Sequence, residues 1–555
     1  MKRDPVALCE REHDLVVVGG GIFGVALAWE AASRGLSVAL LERGDFCGAA
    51  SANSFKMVHG GIRYLQHGDV YRLRESCGER SSLLRIAPHL VRPLPIVVPT
   101  YRSLMRGKTA MRAALSLYDL ITLDRNRGIP DEINRIPRSR IISRAECQGL
   151  FPELDSKDLT GAALFHDGQM YNPTRLALCF LRSAVEAGAN AVNYTEVTGF
   201  LREADRVFGV RATDRLTGNE LEIRGRIVVN AAGAWAERLL KPARLNPRPT
   251  FSRDACFVVP RRLASDAALA IQGETRDPDA LMSRGARHLF LVPWRNYTLV
   301  GVWHVVYDGD PDRVTVTEDD LESFLNEINS ALPGLGLTLD DVHLWNAGLV
   351  LFGENRPGSH DLSYGKRSMI VDHARTDRLD GLITVIGVRY TTARGVAARA
   401  VNLAFRKMGC RPPRSKTDRS TLFGGDFSSF ESLVREATSA KEHPLSEKLA
   451  VPLLRNYGAR YAAVLRHSGE DPKLLAPIGE STTLRLEVLH AVREEMALTL
   501  GDVVFRRTDL GTGEHPGIES LRVCADLMGG ELGWDSARVE REIDEVQSRY
   551  MKVPA

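Results

Sequence analysis

The 555-residue chain is predicted to adopt an α/β fold in which a parallel, helix-covered sheet is interleaved with an antiparallel sheet and followed by a C-terminal helical region. Three observations predict this arrangement. A glycine-rich turn joins a buried strand to a helix near the N-terminus, and two further apolar strands that end in small-residue turns lie far along the chain. The last part of the sequence shows helical periodicity without such a turn.

The first of these elements is the stretch VVVGGGIFGVALAWEAASRGLSVALLERGD, at 16–45. Apolar strands at 15–18 and 36–41 flank a helical run at 22–34. Glycines in G-x-G-x-x-G spacing allow a tight turn, close approach of a pyrophosphate, and close packing of helix on strand, while an acid after the second strand is placed to bind a ribose hydroxyl. The pattern predicts a dinucleotide site, not suited to the 2′-phosphate of NADP, at Gly19, Gly20, Gly21, Gly24 and Glu42.

The sequence after this glutamate distinguishes the flavin from the nicotinamide cofactor. A nicotinamide-binding domain usually continues as a regular alternation of strands and helices, but a polar, glycine-bearing stretch occupies 50–69. The later segments 220–236 and 382–404 would bring backbone to the same dinucleotide again. The second of them starts a helix near Thr391, whose amides and positive dipole end would face an electron-rich flavin edge. The chain is therefore predicted to bind FAD in a domain assembled from distant segments.

Composition excludes several other classes. A net charge of +3 is too balanced for a nucleic-acid partner, and eight scattered cysteines without a CxxC pair support neither a disulfide framework nor a metal site. The first residues carry too many charges for a signal peptide. No apolar run approaches the ~18–20 residues of a membrane-spanning helix. We expect a cytoplasmic protein that binds no metal and no nucleic acid.

Longer motifs point to a family. Ser51, Ser54 and Lys56 precede HGGIRYLQHGD at 59–69. With these residues the chain resembles the FAD-dependent glycerol-3-phosphate dehydrogenases of the D-amino-acid-oxidase-like flavoprotein superfamily. The resemblance covers nearly the whole chain, and its other matched segments are APHLVRPLPIVVP (87–99), FLVPW (290–294), GDP (309–311), NYGARYAAVL (456–465) and EEMALTLGDVVFRRT (494–508).

The resemblance implies a Rossmann-like FAD-binding domain interleaved with an α+β, antiparallel-sheet substrate domain, plus a helical C-terminal cap. We expect the FAD domain at 1–90, 166–244 and 351–410, the substrate domain at 91–165 and 245–350, a linker at 410–426 and the cap at 427–555. The family oxidises the C2 hydroxyl of glycerol 3-phosphate by hydride transfer to FAD, and the electrons pass to quinone or oxygen. Further cofactor contacts are predicted at Ser51, Ser54, Lys56, Val197, Ala232, Gly233, Gly387 and Thr391.

Five residues are candidates for the chemistry, each with a purely structural role as the alternative. Arg63 would hold an anionic group and Tyr64 would hydrogen-bond the substrate, in a turn that the resemblance places at the flavin. His59 would contact the flavin edge or relay a proton. His304 is a candidate base for the hydroxyl proton. Arg389 would anchor the substrate or stabilise the reduced flavin anion.

Several positions depart from the family pattern. Val350 replaces an arginine, Cys256 replaces a histidine, Arg389 replaces a lysine, and a Gly-Thr-Thr-Asp turn has become GVWH at 301–304. Loss of the arginine removes a bidentate phosphate contact, and Trp303 and His304 are expected in the same pocket. The departures predict an anionic alcohol larger than a triose, for which glycerol 3-phosphate would be a poor substitute.

The segment YRSLMRGKTAMRAALSLYDLI, at 101–121, is both basic and amphipathic. The pattern predicts reversible contact with the inner face of a membrane, with a solvated helix as the alternative, and the resemblance implies that the segment lies near the quinone. Two other functions remain open: an amine or amino-acid oxidase of the same superfamily, and a non-catalytic flavin-binding protein. The basic residues of the segment are Arg102, Arg106, Lys108 and Arg112, among the apolar Leu104, Met105, Met111, Leu115 and Leu117.

Overall fold

The computed structural model of the chain describes residues 1–102, 107–155, 157–246, 249–262, 265–276, 286–352, 367–440 and 444–551. Two sheets dominate it, one of eight strands and one of nine. The strands are β1 His13–Val18, β2 Val38–Leu41, β3 Met57–Val58, β4 Val91–Tyr101, β5 Arg140–Ser143, β6 Leu159–Met170, β7 Asn190–Val192, β8 Thr195–Glu203, β9 Arg206–Asp214, β10 Glu220–Asn230, β11 Thr250–Val259, β12 Ala268–Arg276, β13 Ala286–Trp294, β14 Tyr297–Tyr307, β15 Leu344–Phe352, β16 Met369–Asp372 and β17 Leu382–Ile386.

Helices cover the first sheet and make up the C-terminal part. The α-helices are α1 Ile22–Ala32, α2 Val70–Ile86, α3 Lys108–Ile121, α4 Arg144–Leu150, α5 Pro173–Glu186, α6 Ala236–Leu240, α7 Glu318–Ala331, α8 His373–Thr376, α9 Ala393–Lys407, α10 Phe430–Thr438, α11 Glu447–Tyr457, α12 Tyr461–Leu465, α13 Arg485–Glu495, α14 Leu500–Asp502, α15 Ile518–Leu532 and α16 Ser536–Gln547.

The eight-stranded sheet has the order β16-β17-β10-β1-β2-β7, with the hairpin of β8 and β9 continuing from β10. Its strands from β17 to β7 are parallel, and β16 forms an antiparallel edge. In the central register, Val18 of β1 lies beside Leu41 of β2 and Asn230 of β10. The turns that follow these three strands therefore lie side by side at one edge of the sheet, which is where ligands bind in open α/β sheets.

Helix α1 is buried along nearly its whole length. It packs in one core with α5 and α9 as well as with the sheet, so apolar side chains are favourable all round it. The sequence of α1 is therefore apolar on all sides because neighbouring elements enclose the helix.

The nine-stranded sheet has the order β15-β11-β14-β13-β12-β4-β6-β3, with β5 beside β6. All of its pairs are antiparallel except β12 with β4. One face packs against the C-terminal helices, and the other packs against α4 and α7. The short strand β3 joins this sheet although it lies within 1–90, so the segment after β2 connects the two sheets.

The stretch 410–426 contains neither helix nor strand, but it is held in place. The amide of Leu422 donates to the carbonyl of Ile86, and the amide of Ala459 donates to the carbonyl of Gly424. Within the described part of the chain, no helix is long and apolar enough to cross a membrane.

Candidate functional site

The predicted glycines form a cradle that side chains would fill. A Cβ on Gly19 would lie 2.8 Å from the carbonyl oxygen of Ala231, and one on Gly20 would lie 2.7 Å from the ring of Phe46. A Cβ on Gly24 would overlap the carbonyl oxygen of Gly19. Gly21 differs, because its Cβ would face open space except for the Ser51 hydroxyl at 3.2 Å. Three glycines thus close the turn, and the fourth leaves room for a ligand; we call Gly19–Gly24 with Glu42 the glycine cradle.

Glu42 and Ser51 complete this turn. The Glu42 carboxylate accepts the amide N–H of Gly20 at 2.6 Å and that of Gly44 at 2.9 Å. Burial raises the pKa of Glu42, against the two amides that favour its ionised form. The Ser51 hydroxyl accepts the first amide of α1, from Ile22, at 2.9 Å. An acid at this position fits the ribose of a dinucleotide, and a helix N-terminus with few side chains around it fits the pyrophosphate.

The later turns lie beside the cradle as the register requires. Ala232 and Gly233 follow β10, and Gly233 has a φ of +57°. Gly387 follows β17 and has no room for a side chain because the ring of Phe23, in the first turn of α1, lies against it. Thr391 is buried in a 3-10 turn ahead of α9. Val197 packs on the core that contains Val16 and Leu41.

Ser54 and Lys56 lie where the chain leaves the first sheet for the second. Lys56 is 3% exposed, has a φ of +60°, and donates to the carbonyl of Ser54 at 3.3 Å. Its ammonium lies 4.7 Å from the ring centroid of Trp294. Burial lowers the pKa of Lys56 to about 8.

The His-Gly-Gly turn is shaped by groups far away in sequence. A Cβ on Gly60 would overlap the Arg80 guanidinium, and Gly61 has a left-handed φ of +80°. The His59 Nδ1 lies 3.3 Å from Oδ2 of Asp167, and the Gly60 amide donates to Oδ1 of the same residue at 2.7 Å. The turn therefore closes on Asp167 and Arg80, which no sequence motif connects with it.

Tyr64 and Arg389, 325 positions apart, meet next to this turn. Arg389 donates to the Tyr64 hydroxyl at 2.7 Å and to the Ser76 hydroxyl at 2.6 Å, and its Nη2 lies 3.5 Å from Glu75 Oε2. Arg63 precedes Tyr64 in the 3-10 turn Ile62–Leu65 and is partly exposed. We call residues 59–64 with Arg389 the histidine edge.

His304 belongs to a separate constellation on the nine-stranded sheet. Its Nδ1 lies 2.8 Å from Oδ1 of Asp254, which is its partner across β11 and β14. The Ser252 hydroxyl donates to the same oxygen at 2.5 Å. His304 therefore has an acid beside it that can balance a positive charge on its ring.

Apart from Arg389, the residues that depart from the family pattern lie on two faces of this sheet. Val350 of β15 pairs with Ser252 of β11, and Cys256 of β11 pairs with Asn346 of β15, so both pairs involve the strand that carries Asp254. Burial raises the pKa of Cys256 to about 11, so it remains a thiol. Trp303 does not share a pocket with His304 as expected: its ring stacks on Phe324 of α7, at 6.1 Å, in the core on the face of the sheet that packs against α4 and α7. Adjacent residues of a strand point to opposite faces.

Helix α2 is the part of the site that sequence reasoning missed. Its side chains reach the histidine edge at several points: Arg72 stacks over Tyr64, Ser76 binds Arg389, Cys77 Sγ lies 2.9 Å from the Gly60 carbonyl oxygen, and Arg80 binds Asp167. The signal was present as polar residues four apart, which lie on one side of a helix. These polar residues are buried, which is what indicates a functional role, and their burial is visible only in the folded chain.

Comparison with known proteins gives the family. Residues 14–400 match the family of FAD-dependent oxidoreductases, and residues 415–539 match the C-terminal domain of alpha-glycerophosphate oxidase. The chain is 33% identical to a glycerol-3-phosphate dehydrogenase of Mycobacterium leprae, over 97% of this chain and 88% of that protein. It is 30% identical to the human mitochondrial glycerol-3-phosphate dehydrogenase, over 96% of this chain and 72% of that protein.

The fold is also that of a solved relative. The glycerol-3-phosphate dehydrogenase of Bacillus halodurans, complexed with FAD, superposes with a TM-score of 0.75 at 24% identity, over 98% of this chain and 96% of that chain. The predicted fold class and the predicted cofactor, FAD, are confirmed, and the glycine cradle fits that cofactor. Since the family match spans well over half of the chain and the relatives match nearly all of it, the chain belongs to the FAD-dependent oxidoreductases and, within them, to the glycerol-3-phosphate dehydrogenase family.

Proposed function

We propose that the protein oxidises a secondary alcohol of a small anionic polyol, with hydride transfer to FAD and electron transfer onward to quinone or oxygen. The observation that carries the proposal is the meeting of Arg389 and Tyr64, whose Nη1 and hydroxyl are 2.7 Å apart. A cation beside a hydroxyl, next to a turn that carries a histidine, can bind an anion and orient an alcohol. The relatives named above support this class of reaction.

Bound FAD supplies the hydride acceptor. The protein's own residues then have to bind the substrate anion and remove the hydroxyl proton as the C–H bond breaks. Arg63 and Arg389 supply positive charge, and Tyr64 supplies a hydrogen-bonding group. His59 is the stronger candidate base, because its side chain is half exposed while its Nδ1 is held by a buried carboxylate.

His304 is a second candidate for contact with the substrate. Its contact with Asp254 joins β14 to β11, and Val350 lies on β15, which also pairs with β11. With valine in place of an arginine, this part of the site disfavours a bare phosphate. The acid and the histidine favour a substrate that has further hydroxyl groups next to them. The substrate we propose is therefore an anionic alcohol that is larger than a triose.

A membrane contact would bring the quinone within reach. Helix α3 buries Leu115 and Tyr118 but exposes Leu117 by 49% and Leu120 by 64%, and Leu123 beyond it is 71% exposed. Arg112 is exposed on the same helix. An outward apolar ridge with basic residues is suited to lie on an anionic bilayer. Leu104, Met105 and Arg106, which were predicted to take part, lie outside the described residues.

The test is anaerobic bleaching of the flavin by a panel of alcohols. Glycerol 3-phosphate, longer polyol phosphates and hydroxy acids are mixed with the holoenzyme, and the rate constant of flavin reduction is measured for each. We expect a polyol phosphate or hydroxy acid to exceed glycerol 3-phosphate by about tenfold or more, since one charge-assisted hydrogen bond contributes ~1.5–3 kcal/mol. Fastest reduction by glycerol 3-phosphate would show that other residues bind the phosphate, and reduction only by amines or amino acids would contradict the proposal.

A further inference from the structure

Asp167, near the end of β6, is the hub of the contacts beneath the His-Gly-Gly turn. It is 3% exposed, and its carboxylate lies within reach of three groups from two other segments. The Gly60 amide donates to Oδ1 at 2.7 Å, Arg80 Nη1 donates to Oδ1 at 2.7 Å, and His59 Nδ1 lies 3.3 Å from Oδ2. A single buried carboxylate thus ties the histidine, the turn and helix α2 together.

The chemistry of these partners fixes the protonation of His59 Nδ1. A backbone amide and a guanidinium can only donate, so the oxygen they share acts as an acceptor. Burial alone raises the pKa of Asp167, but its contact with His59, the Arg80 charge and the Gly60 amide outweigh it and hold that pKa below its ordinary value. An ionised carboxylate accepts only, so His59 Nδ1 must carry the hydrogen, and the lone pair of the neutral ring is then on Nε2.

Arg80 is itself bound by other groups, through Nη1. It is fully buried, and the same Nη1 also donates to the Tyr118 hydroxyl at 3.0 Å and to the His166 carbonyl at 2.9 Å. Gly60 has no side chain where the guanidinium lies against it. His59, by contrast, has a side chain that is 47% exposed. The carboxylate side of the imidazole is thus buried and fixed, and its remaining edge is open.

We infer that Asp167 is a positioning residue, which holds His59 in the tautomer whose Nε2 takes the proton of the substrate hydroxyl, with Arg80 holding Asp167. The inference rests on the proposed function. In the step concerned, the O–H bond breaks and its proton moves to Nε2, the C–H bond breaks with its electron pair passing to FAD as hydride, and the alcohol carbon becomes a carbonyl carbon. The imidazolium that forms is stabilised by the Asp167 carboxylate.

Asp167→Asn changes the tautomer of His59 while keeping a side chain of nearly the same shape at position 167. Gly60 and Arg80 require an acceptor, so they would keep the amide oxygen and leave the NH2 group facing His59 Nδ1. Nδ1 must then accept, and the hydrogen moves to Nε2, which can no longer act as a base. We expect the rate constant of flavin reduction to fall about 100-fold or more, while the dissociation constant of the substrate stays near the wild-type value.

Asp124→Asn is the matched control. Asp124 binds Arg74 of the same helix, α2, but on the exposed side. This variant should keep the wild-type rate constant. A wild-type rate constant in Asp167→Asn, or an equal loss in both variants, would overturn the inference, and Asp167→Glu, which retains the negative charge, should recover part of the rate.

The tautomer can be measured directly, without substrate or turnover. In the holoenzyme labelled with ¹⁵N-histidine, the signals of His59 are assigned by their loss in His59→Gln. We expect hydrogen on Nδ1 in the wild type and on Nε2 in Asp167→Asn. Hydrogen on Nε2 in the wild type would overturn the inference whatever the activity, whereas failure of every alcohol to bleach the wild-type holoenzyme would instead overturn the proposed function.

Discussion

The glycine cradle and the histidine edge are built in opposite ways. In the cradle, the backbone makes the contacts: the amides of Gly20 and Ile22 each donate to one side chain, and Gly19 and Gly24 are needed because a Cβ there would meet other backbone atoms. At the histidine edge, side chains hold side chains, and Asp167, Arg80 and Ser76 reach in from other elements.

This contrast indicates which part of the protein can change its chemistry. A backbone cradle is suited to the parts that every FAD has, so its residues have few alternatives. A network of side chains can exchange partners while the strands that carry it stay in place. We expect changes in the cradle to affect cofactor retention and changes at the edge to affect the substrate.

The largest effect is expected from Gly21→Val. Its Cβ meets only the Ser51 hydroxyl, so the chain should fold, but the branched side chain would fill the space that the pyrophosphate needs. The variant should purify without FAD, measured as the ratio of flavin to protein absorbance. Gly78→Val, at an open position of α2, is the control and should stay yellow. Full flavin occupancy in Gly21→Val would remove Gly21 from the cofactor site.

Lys56, between the two regions, should give a pH-dependent change in stability. Its pKa is about 8 in the folded chain, lowered by burial from 10.5. Below pH 8 the ammonium is charged in both the folded and the unfolded chain. Its burial in the folded chain then lowers the free energy of unfolding by about 3 kcal/mol. Between pH 8 and 10.5 the folded chain releases the proton first, so this loss shrinks as the pH rises.

Lys56→Met should therefore be more stable than the wild type by about 3 kcal/mol at pH 7, and the advantage should fade toward pH 10.5. The measurement is urea unfolding of the apoprotein across this range. Lys157→Met, at an exposed lysine, should change little at any pH. If the difference in the free energy of unfolding between Lys56→Met and the wild type does not vary with pH, Lys56 is not buried in its charged form.

Arg389→Gln tests the histidine edge without touching the cradle. The change removes the donors to Tyr64 and Ser76. Substrate affinity should fall about 10- to 100-fold, as one or two charge-assisted hydrogen bonds predict, while FAD is retained. Stopped-flow flavin reduction gives the affinity. Arg399→Gln, at a second cation that binds Glu75, is the matched control, and an equal loss there would show only a general charge effect.

The smallest effect is expected from the exposed leucines of α3 and of the turn that follows it. Replacing Leu117, Leu120 and Leu123 with serine should weaken binding to anionic vesicles about tenfold, because each partly buried leucine contributes on the order of 1 kcal/mol or less. Co-sedimentation at low salt measures it. Leu216→Ser, an exposed leucine in a turn elsewhere, is the control. Unchanged co-sedimentation would exclude α3 from membrane contact.

The cradle and its cofactor follow from the amino-acid sequence alone. Strand, glycine spacing, helix and terminal acid are consecutive, and a backbone turn depends on residues next to one another, so Gly19, Gly24 and Glu42 could be assigned from their local spacing. The resemblance supplied His59, Tyr64 and Arg389 as candidates, and that assignment remains a prediction.

The surroundings of those candidates depend on tertiary packing. Asp167 lies 108 positions from His59, and Arg80 reaches it from a helix whose sequence carries no motif. The face on which Trp303 lies also depended on its strand's place in the sheet, and here the sequence-based expectation was wrong. Local patterns specify backbone conformation, but which distant side chains share a buried, low-dielectric site is fixed by packing, and that packing sets their charges and tautomers.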